Sequence, residues 1–268
     1  MDDNLGFYER AELYDIAFSF RDIGGEVDVL TGWYRSMTGR PGPARVLELG
    51  AGPAQHAREF VRRGAEGWAL DMSAAMADYA RARAAADGVR IEVVMGDMTA
   101  FELARRFDLM LLMINSVGHL MTDALLVRHL ECVARALTPG GIYVMEVAHP
   151  ADDANHPEGE PPRQWSAQRG QTTVDIRWGR LEDPLDREHR IRTHTVELNA
   201  NIAGRPVSFV EQVRLRAWKR QAIDEAIQRV GGFSTVRVYG DFSPDVPLEH
   251  SAAWRMIYVM QRADSPRR

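Results

Sequence analysis

A short buried strand that runs into a glycine turn is the feature that most constrains how this chain folds. Residues 45–49 read Arg-Val-Leu-Glu-Leu, glycines follow at Gly50 and Gly52, and helical spacing resumes over residues 54–63. Glycines in such a turn allow positive φ and let a ligand approach the backbone closely. In an open α/β sheet, this turn is where a nucleotide-like ligand binds.

The alternation of strand and helix continues along the first half of the chain. Strand-like apolar runs recur at 67–72, 91–98, 107–115 and 142–147, with helical spacing between them. The run at 107–115 lacks polar alternation, which is typical of a parallel strand buried on both faces. This order predicts a parallel sheet with crossover helices, and Pro-Gly-Gly at 139–141 predicts a turn before the fifth strand.

The pattern changes after Val147. Residues 149–163 have loop composition, and three segments of alternating polar and apolar residues follow them. These segments predict a three-stranded antiparallel sheet with one solvated face. A helix from about Lys219 to Val230 and two last strands then return to the core, so the antiparallel sheet is predicted to be an insertion.

We therefore divide the chain into three parts. Residues 1–148 are predicted to hold the N-terminal helices and a Rossmann-like cofactor-binding core. Residues 149–217 form the inserted sheet, and residues 218–262 supply the last helix and final two strands of the core. The insertion is expected to cover the active site and to form a homodimer face, because an alternating sheet exposes one face.

Composition narrows the class of protein. The 33 basic and 38 acidic residues give a net charge of −5, and no basic, aromatic-rich segment suggests nucleic acid, so a small-molecule partner is expected. The one cysteine and the dispersed histidines predict neither a disulfide nor a metal site. The longest apolar run, 109–114, is far shorter than the ~20 residues of a membrane helix. The N-terminus lacks a signal peptide, which predicts a cytoplasmic protein without membrane contact.

Two acidic residues, together with the glycine turn, predict a binding site for adenosine. Asp71 ends the second strand, 19 residues after Gly52, where a carboxylate accepts hydrogen bonds from ribose hydroxyls. The motif Gly96-Asp97-Met98 ends the third strand, where Asp97 is placed to accept from an adenine amino group. Gln55 occupies the place of the third glycine of the dinucleotide fingerprint, which disfavours a nicotinamide dehydrogenase.

The chain resembles class I S-adenosylmethionine-dependent methyltransferases in four motifs. These are Glu-Leu-Gly-Ala-Gly-Pro-Ala at 48–54, Leu-Asp-Met-Ser-Ala-Ala-Met at 70–76, Gly-Asp-Met at 96–98, and the late strand with its Pro-Gly-Gly approach at 137–147. The resemblance implies a Rossmann-like fold with a mostly parallel seven-stranded sheet. It also implies S-adenosyl-L-methionine as cofactor and S-adenosyl-L-homocysteine as product. The cofactor site it implies comprises Glu48, Gly50, Ala51, Gly52, Asp71, Met72, Met76, Asp97, Met98 and Asn115.

A narrower resemblance concerns the N,N-dimethyltransferases of deoxyamino sugars in macrolide biosynthesis. The chain shares with them Tyr14-Asp15, the segment Asn-Ser-Val-Gly-His-Leu at 115–120, and an antiparallel insertion of this length. In that family the tyrosine and the histidine of these segments lie at the active site. The resemblance therefore implies Tyr14 and His119 as active-site residues here. The inserted sheet carries no residue-level match.

Methyl transfer is an in-line displacement in which the protein mainly positions the acceptor. His119 is predicted to accept the proton of an amine or to orient it, and Tyr14 to hydrogen-bond near the transferred methyl. The competing interpretations are a loop histidine without chemistry and a helix residue that packs on the sheet edge. Arg21 is a candidate for the methionine carboxylate, or else an ion-pair partner of Asp22 or Glu26.

We expect a methyltransferase that acts on an amine nitrogen of a small molecule. Oxygen and carbon acceptors stay open because the fold does not set acceptor chemistry. The alternative of a different class is a non-catalytic module that binds adenosylmethionine. Trp165, Trp178 and Trp218 lie in or near the insertion, where they form either an apolar acceptor wall or the core of the small sheet.

Overall fold

The structure, a computed structural model, describes residues 6–149 and 163–263. Almost all of the predicted loop at 149–163 therefore lies outside the described residues. The helices are α1 (Ala11–Ala17), α2 (Ile23–Thr38), α3 (Gln55–Arg62), α4 (Ala74–Ala86), α5 (Asp123–Ala136) and α6 (Arg220–Val230). The strands are β1 (Arg45–Leu49), β2 (Glu66–Asp71), β3 (Ile91–Met95), β4 (Phe107–Leu112), β5 (Leu137–Ala148), β6 (Arg163–Arg169), β7 (Thr172–Trp178), β8 (Leu185–Asp186), β9 (Ile191–Ile202), β10 (Arg205–Arg216), β11 (Phe233–Tyr239) and β12 (Arg255–Arg262).

The main sheet has seven strands in the order β11-β12-β5-β4-β1-β2-β3. Only β12 runs antiparallel to its neighbours, so the predicted mostly parallel sheet is confirmed. Every residue of β4 is buried, as expected for a central strand covered on both faces. Helices α5 and α6 pack on one face, and α2 and α3 pack on the other.

A side-chain cap fixes the start of α4. Ser73 is the N-cap of α4, and its hydroxyl accepts a hydrogen bond from the Met76 N–H at 3.2 Å. Phe20 lies beyond the end of α1. The helix ends at Ala17, and the Phe20 ring is exposed.

The Pro-Gly-Gly segment at 139–141 is not a separate turn between helix and strand. It lies inside β5, which already pairs with β4 at Leu137 and shifts register before Ile142. Gly140 has a φ of +71°, which accommodates this irregularity without the strain of a side chain. The predicted turn residues therefore mark an interruption of the ladder and not the start of the strand.

The second sheet has five strands rather than the predicted three. Strands β10, β9, β7 and β6 lie side by side, and the two-residue β8 pairs with β9. The prediction missed β6 because its sequence, Arg-Gln-Trp-Ser-Ala-Gln-Arg, is polar and forms an edge strand with little β-branched character. In the chain, the strands of this sheet lie between β5 and α6.

The inner face of the second sheet packs on the N-terminal segment. Leu13, Ile16 and Ala17 of α1 share one apolar cluster with Val174, Ile176 and Leu198 of the sheet. Helix α1 therefore lies against the second sheet, and a cavity opens between that sheet and the carboxyl ends of β4 and β5.

Within the described ranges, no helix combines the length and the hydropathy needed to cross a bilayer.

Candidate functional site

The glycine turn after β1 is held by backbone hydrogen bonds to the end of β2. The Ala51 N–H donates to the Leu70 carbonyl at 3.1 Å, and the Gly52 N–H donates to Asp71 Oδ2 at 2.7 Å. The Ser73 N–H donates to Asp71 Oδ1 at 2.9 Å. Burial raises the pKa of Asp71, and these backbone donors oppose that rise. Each carboxylate oxygen keeps further acceptor capacity for a ligand hydroxyl.

Both glycines of the turn adopt positive φ, 52° at Gly50 and 49° at Gly52. A Cβ at Gly50 would lie 3.3 Å from the Ser116 Cβ. A Cβ at Gly52 would lie 3.8 Å from the Tyr14 ring and from the Met76 sulfur. The turn therefore brings the predicted active-site residue Tyr14 beside the predicted cofactor loop, and the positive φ values disfavour any larger residue at the two glycines.

Glu48 precedes the turn but faces α3. Its Oε2 accepts from the Ala57 N–H at 2.9 Å, and its Oε1 lies 3.2 Å from His56 Nδ1. The side chain is buried. Glu48 was predicted as a cofactor residue, and this geometry supports a role in orienting the glycine turn rather than direct contact with a ligand.

His56 belongs to a buried chain of charges that the sequence did not reveal. Its Nε2 lies 2.8 Å from Glu26 on α2, which in turn accepts from Arg21 at 2.6 Å. Burial by itself lowers the pKa of His56, but hydrogen bonds to Glu26 and Glu48 outweigh burial and raise the pKa to about 9. Burial raises the pKa of Glu26, yet His56 and Arg21 hold it at about 2. The chain of charges is therefore ionised at neutral pH.

Arg21 pairs with Glu26 and also with Glu146 at the end of β5, at 2.9 Å. Of the two predicted acidic partners, Glu26 is the one it contacts. Asp22 instead accepts from the Gly25 N–H and caps α2. Arg255 holds the other oxygen of Glu146 at 2.8 Å. Arg21 still borders the cavity, so its predicted approach to a methionine carboxylate would involve a guanidinium that is already ion-paired.

The predicted adenine residues differ in accessibility. Asp97 Oδ1 accepts from the N–H and the hydroxyl of Thr99, at 2.7 and 2.8 Å. The Met72 side chain is 69% exposed beside the end of β2, which leaves it open to a ligand ring. Met98 is partly buried against the main core. Met76 is fully buried beneath the glycine turn, so its role here is packing.

Asn115 follows β4 in an uncommon backbone conformation. Ile114 and Asn115 have φ values of 52° and 53°, and a β-branched residue at positive φ is a strained one. The Asn115 amide oxygen accepts from the Ala148 N–H at 3.1 Å, which ties the end of β4 to the end of β5. Both ends line the cavity.

The cavity beside the turn has a volume of about 480 Å³, within the range of small-molecule sites. It brings together Tyr14, His119 and Tyr8. The Tyr8 hydroxyl lies 3.1 Å from His119 Nε2, and the two rings meet edge to face. Burial lowers the pKa of His119, with Asp71 opposing it, and burial raises the pKa of Tyr14 with help from Asp71. At neutral pH the imidazole is therefore neutral and the Tyr14 hydroxyl protonated.

Sequence reasoning missed three residues of this site, namely Tyr8 and the ion-paired Arg255 and Glu146. Tyr8 lies in a short 3₁₀ turn before α1, and its only sequence signal was an aromatic residue near Tyr14. Trp165 and Trp178 line the cavity and also pack against the apolar cluster of the second sheet, so observations support both interpretations. Trp218 belongs to the core, where its Nε1 donates to the Val117 carbonyl at 3.1 Å.

Comparison with known proteins gives one domain match. Residues 46–141 match the family described as a methyltransferase domain. The chain is 29% identical over 140 residues to the dTDP-3-amino-3,4,6-trideoxy-α-D-glucopyranose N,N-dimethyltransferase of Streptomyces venezuelae, covering 52% of this chain and 56% of that protein. It is 34% identical over 142 residues to the dTDP-3-amino-3,6-dideoxy-α-D-glucopyranose N,N-dimethyltransferase of Streptomyces fradiae, covering 52% of each. The matched region thus spans about half the length of these curated relatives.

A solved structure extends the likeness over nearly the whole fold. The amino pentose methyltransferase CalS10 of Micromonospora echinaspora, solved with S-adenosylmethionine bound, superposes with a TM-score of 0.69 at 21% identity. The match covers 98% of this chain and 100% of that one. These comparisons confirm the predicted methyltransferase domain and its class I fold, and they agree with the predicted cofactor.

Proposed function

We propose that this chain, which carries a methyltransferase domain in a class I fold, transfers the methyl group of S-adenosylmethionine to an amine nitrogen of a small molecule. The observation that carries the proposal is that the predicted cofactor residues lie next to the predicted acceptor residues. The glycine turn with Asp71 adjoins Tyr14, and Tyr14 lines the same cavity as His119. The two curated relatives, named as amino-sugar N,N-dimethyltransferases, support the amine as acceptor.

The residues at the turn fit the adenosine part of this cofactor. Gly50 and Gly52 leave a backbone cradle that a Cβ would fill, and Asp71 offers a half-buried carboxylate with spare acceptor capacity. Met72, which is exposed, follows β2, and Asp97 follows the neighbouring β3. In this position both side chains could contact the adenine ring. When bound, the cofactor supplies an electrophilic sulfonium methyl.

The other residues act on the acceptor. An amine attacks only through a free lone pair, so its proton must be removed or kept away. His119 is neutral at pH 7 because burial lowers its pKa, and it is therefore able to accept a proton as a general base. The Tyr8 hydroxyl holds the imidazole in position, and the protonated Tyr14 hydroxyl is a hydrogen-bond donor close to the glycine turn.

Methyl transfer from labelled S-adenosylmethionine to a mixed panel tests the proposal. The panel holds amino sugars, amino acids, aromatic amines, phenols and carboxylates, and mass fragmentation locates the new methyl group. We expect N-methylated product. Transfer only to oxygen or carbon would replace the amine by that acceptor, and tight cofactor binding without transfer to any compound would favour a non-catalytic module.

Small-angle scattering tests the proposed homodimer through the inserted sheet. The outward residues of β10, which include Ser208, Val210 and Gln212, are exposed and available to a second copy. We expect a dimer in solution at micromolar concentration, and a monomer at all concentrations would contradict that assembly.

A further inference from the structure

One wall of the cavity is a continuous series of aromatic rings. It begins at His119, beside the glycine turn, and ends at Phe20 on the surface. Neighbouring ring centroids lie 4.6–6.3 Å apart in the order His119, Tyr8, Tyr14, Phe18, Trp165 and Phe20. Aromatic pairs at such distances attract each other beyond their burial, so the rings form a cohesive apolar surface.

Carboxylates pair with three arginines of the cavity wall, Arg21, Arg216 and Arg255. Arg21 and Arg255 share Glu146, with N–O distances of 2.9 and 2.8 Å, and all three side chains are buried. Arg216 pairs with Asp123 at 2.7 Å and stacks on the Trp218 ring. A diphosphate group that binds Arg21 or Arg255 would have to displace Glu146, which costs the free energy of these buried ion pairs.

The outer end of the cavity exposes large rings to solvent. Phe20 is 63% exposed and Trp254 is 50% exposed, and both belong to the cavity lining. The Arg255 guanidinium covers one face of Trp254 at 3.2 Å. Exposed rings at the rim of an apolar cavity mark a surface that a ligand covers.

We propose that the acceptor is an amine attached to a flat aromatic ring. The ring lies along the wall of rings between Phe18, Trp165 and Phe20, and the nitrogen reaches the end of the wall at His119 and Tyr14. This inference rests on the proposed N-methyltransferase function and narrows its acceptor. It separates this chain from the relatives named above, whose acceptors are nucleotide-linked amino sugars by name.

The affinities of amines that differ in the attached ring test the acceptor chemistry without a methyl-transfer assay. The probes are benzylamine, 2-naphthylmethylamine, 4-aminomethyltetrahydropyran and a dTDP-linked amino sugar, each titrated by calorimetry into protein saturated with S-adenosylhomocysteine. We expect naphthylmethylamine to bind at least tenfold more tightly than the tetrahydropyran amine, with benzylamine between them. Equal affinities, or tightest binding of the dTDP-linked sugar, would overturn the proposal. The latter result would mean that the rings stack on a nucleotide base.

A pair of surface variants locates the ring. Phe20→Ala should weaken naphthylmethylamine binding at least fivefold and leave S-adenosylhomocysteine affinity unchanged. Leu181→Ala removes a side chain of similar exposure, 61%, on the inserted sheet away from the cavity lining, and should change neither affinity. Unchanged probe binding in Phe20→Ala would contradict the proposed placement of the ring.

Binding and transfer assays together separate the two proposals. If the aromatic amine binds tightly but no amine in the panel is methylated, the proposed function fails while the cavity preference stands. If an amino sugar is methylated and the aromatic amines bind weakly, N-methylation stands and the aromatic acceptor is wrong.

Discussion

Gln55 Nε2 donates a hydrogen bond of 2.6 Å to Asp15 Oδ1 and thereby joins α3, which follows the glycine turn, to α1, which carries Tyr14. The other Asp15 oxygen accepts from the Tyr79 hydroxyl at 2.9 Å and from Arg169 at 2.6 Å. Gln55 occupies the place where a dinucleotide-binding fold has its third glycine. In this protein the side chain at that place fixes the position of the N-terminal helix relative to the turn.

Asp15→Ala should lower the free energy of unfolding by about 2 kcal/mol, because it leaves three half-buried donors without their shared acceptor. The Asp15 carboxylate is only 1% exposed, and its partners come from three different elements. Urea denaturation followed by circular dichroism measures the change. Asp78→Ala is the control. Its surface pair with Arg81 is exposed, so a loss of less than about 0.5 kcal/mol is expected. Equal losses in both variants would contradict the role given to Asp15.

Asp71→Ala should weaken S-adenosylhomocysteine binding at least tenfold, since it removes charge-assisted hydrogen bonds to the ribose. The change also frees the Gly52 and Ser73 N–H groups, so the loss alone does not identify the ribose as the partner. Calorimetry with a 2′,3′-dideoxy analogue resolves this. The native protein should prefer the intact ribose, and the variant should bind both compounds equally. A preference that survives in the variant would place the ribose elsewhere.

His119→Ala should lower kcat by about 100-fold, the lower range for loss of a general base, without changing cofactor affinity. For the native protein, kcat should rise with pH along a titration curve whose midpoint lies below pH 6.5, and should reach a plateau above it. The reason is that burial lowers the pKa of His119 and its neutral form is the active one. The variant should lose this midpoint. His189→Ala, on the exposed surface, should keep both the rate and the profile. A pH profile that is identical in His119→Ala would exclude His119 as the base.

His56 should make stability depend on alkaline pH. Its pKa is about 9 in the folded protein and near 6.5 when unfolded, since hydrogen bonds to Glu26 and Glu48 outweigh burial. Its contribution is therefore fully present below pH 6.5 and is lost as the pH rises to 9. The expected loss is at most about 3 kcal/mol.

Urea titrations between pH 6 and pH 10 measure this dependence. His56→Gln should be less stable than the native protein at pH 6.5 and should show a much flatter profile above it. His189→Gln, whose ring is exposed beside Asp186, should follow the native curve. A native curve that is flat from pH 6.5 to 9 would contradict a charged His56.

The sequence predicted the parts of this fold that depend on local spacing. The strand before the glycine turn and the buried run of β4 both follow from the periodicity of the apolar residues. Asp71 and Asp97 were predicted as cofactor residues for a related reason, since the carboxyl ends of parallel strands meet at one edge of a sheet. An edge strand such as β6 escaped this reasoning because its polar residues carry no burial pattern.

The tertiary structure decided which side chains meet. Tyr8 and His119 are 111 positions apart, and Arg21 and Glu146 are 125 apart, so no local pattern records either contact. It also placed Trp165 and Trp178 on the cavity and Trp218 in the core, although all three lie in or near alternating strands. Such choices depend on how the second sheet and α1 pack against the main sheet, and the buried ion pairs and ring contacts form only once that packing is complete. Local sequence thus determined the cofactor edge of the sheet, whereas long-range packing determined the cavity in which the acceptor would react.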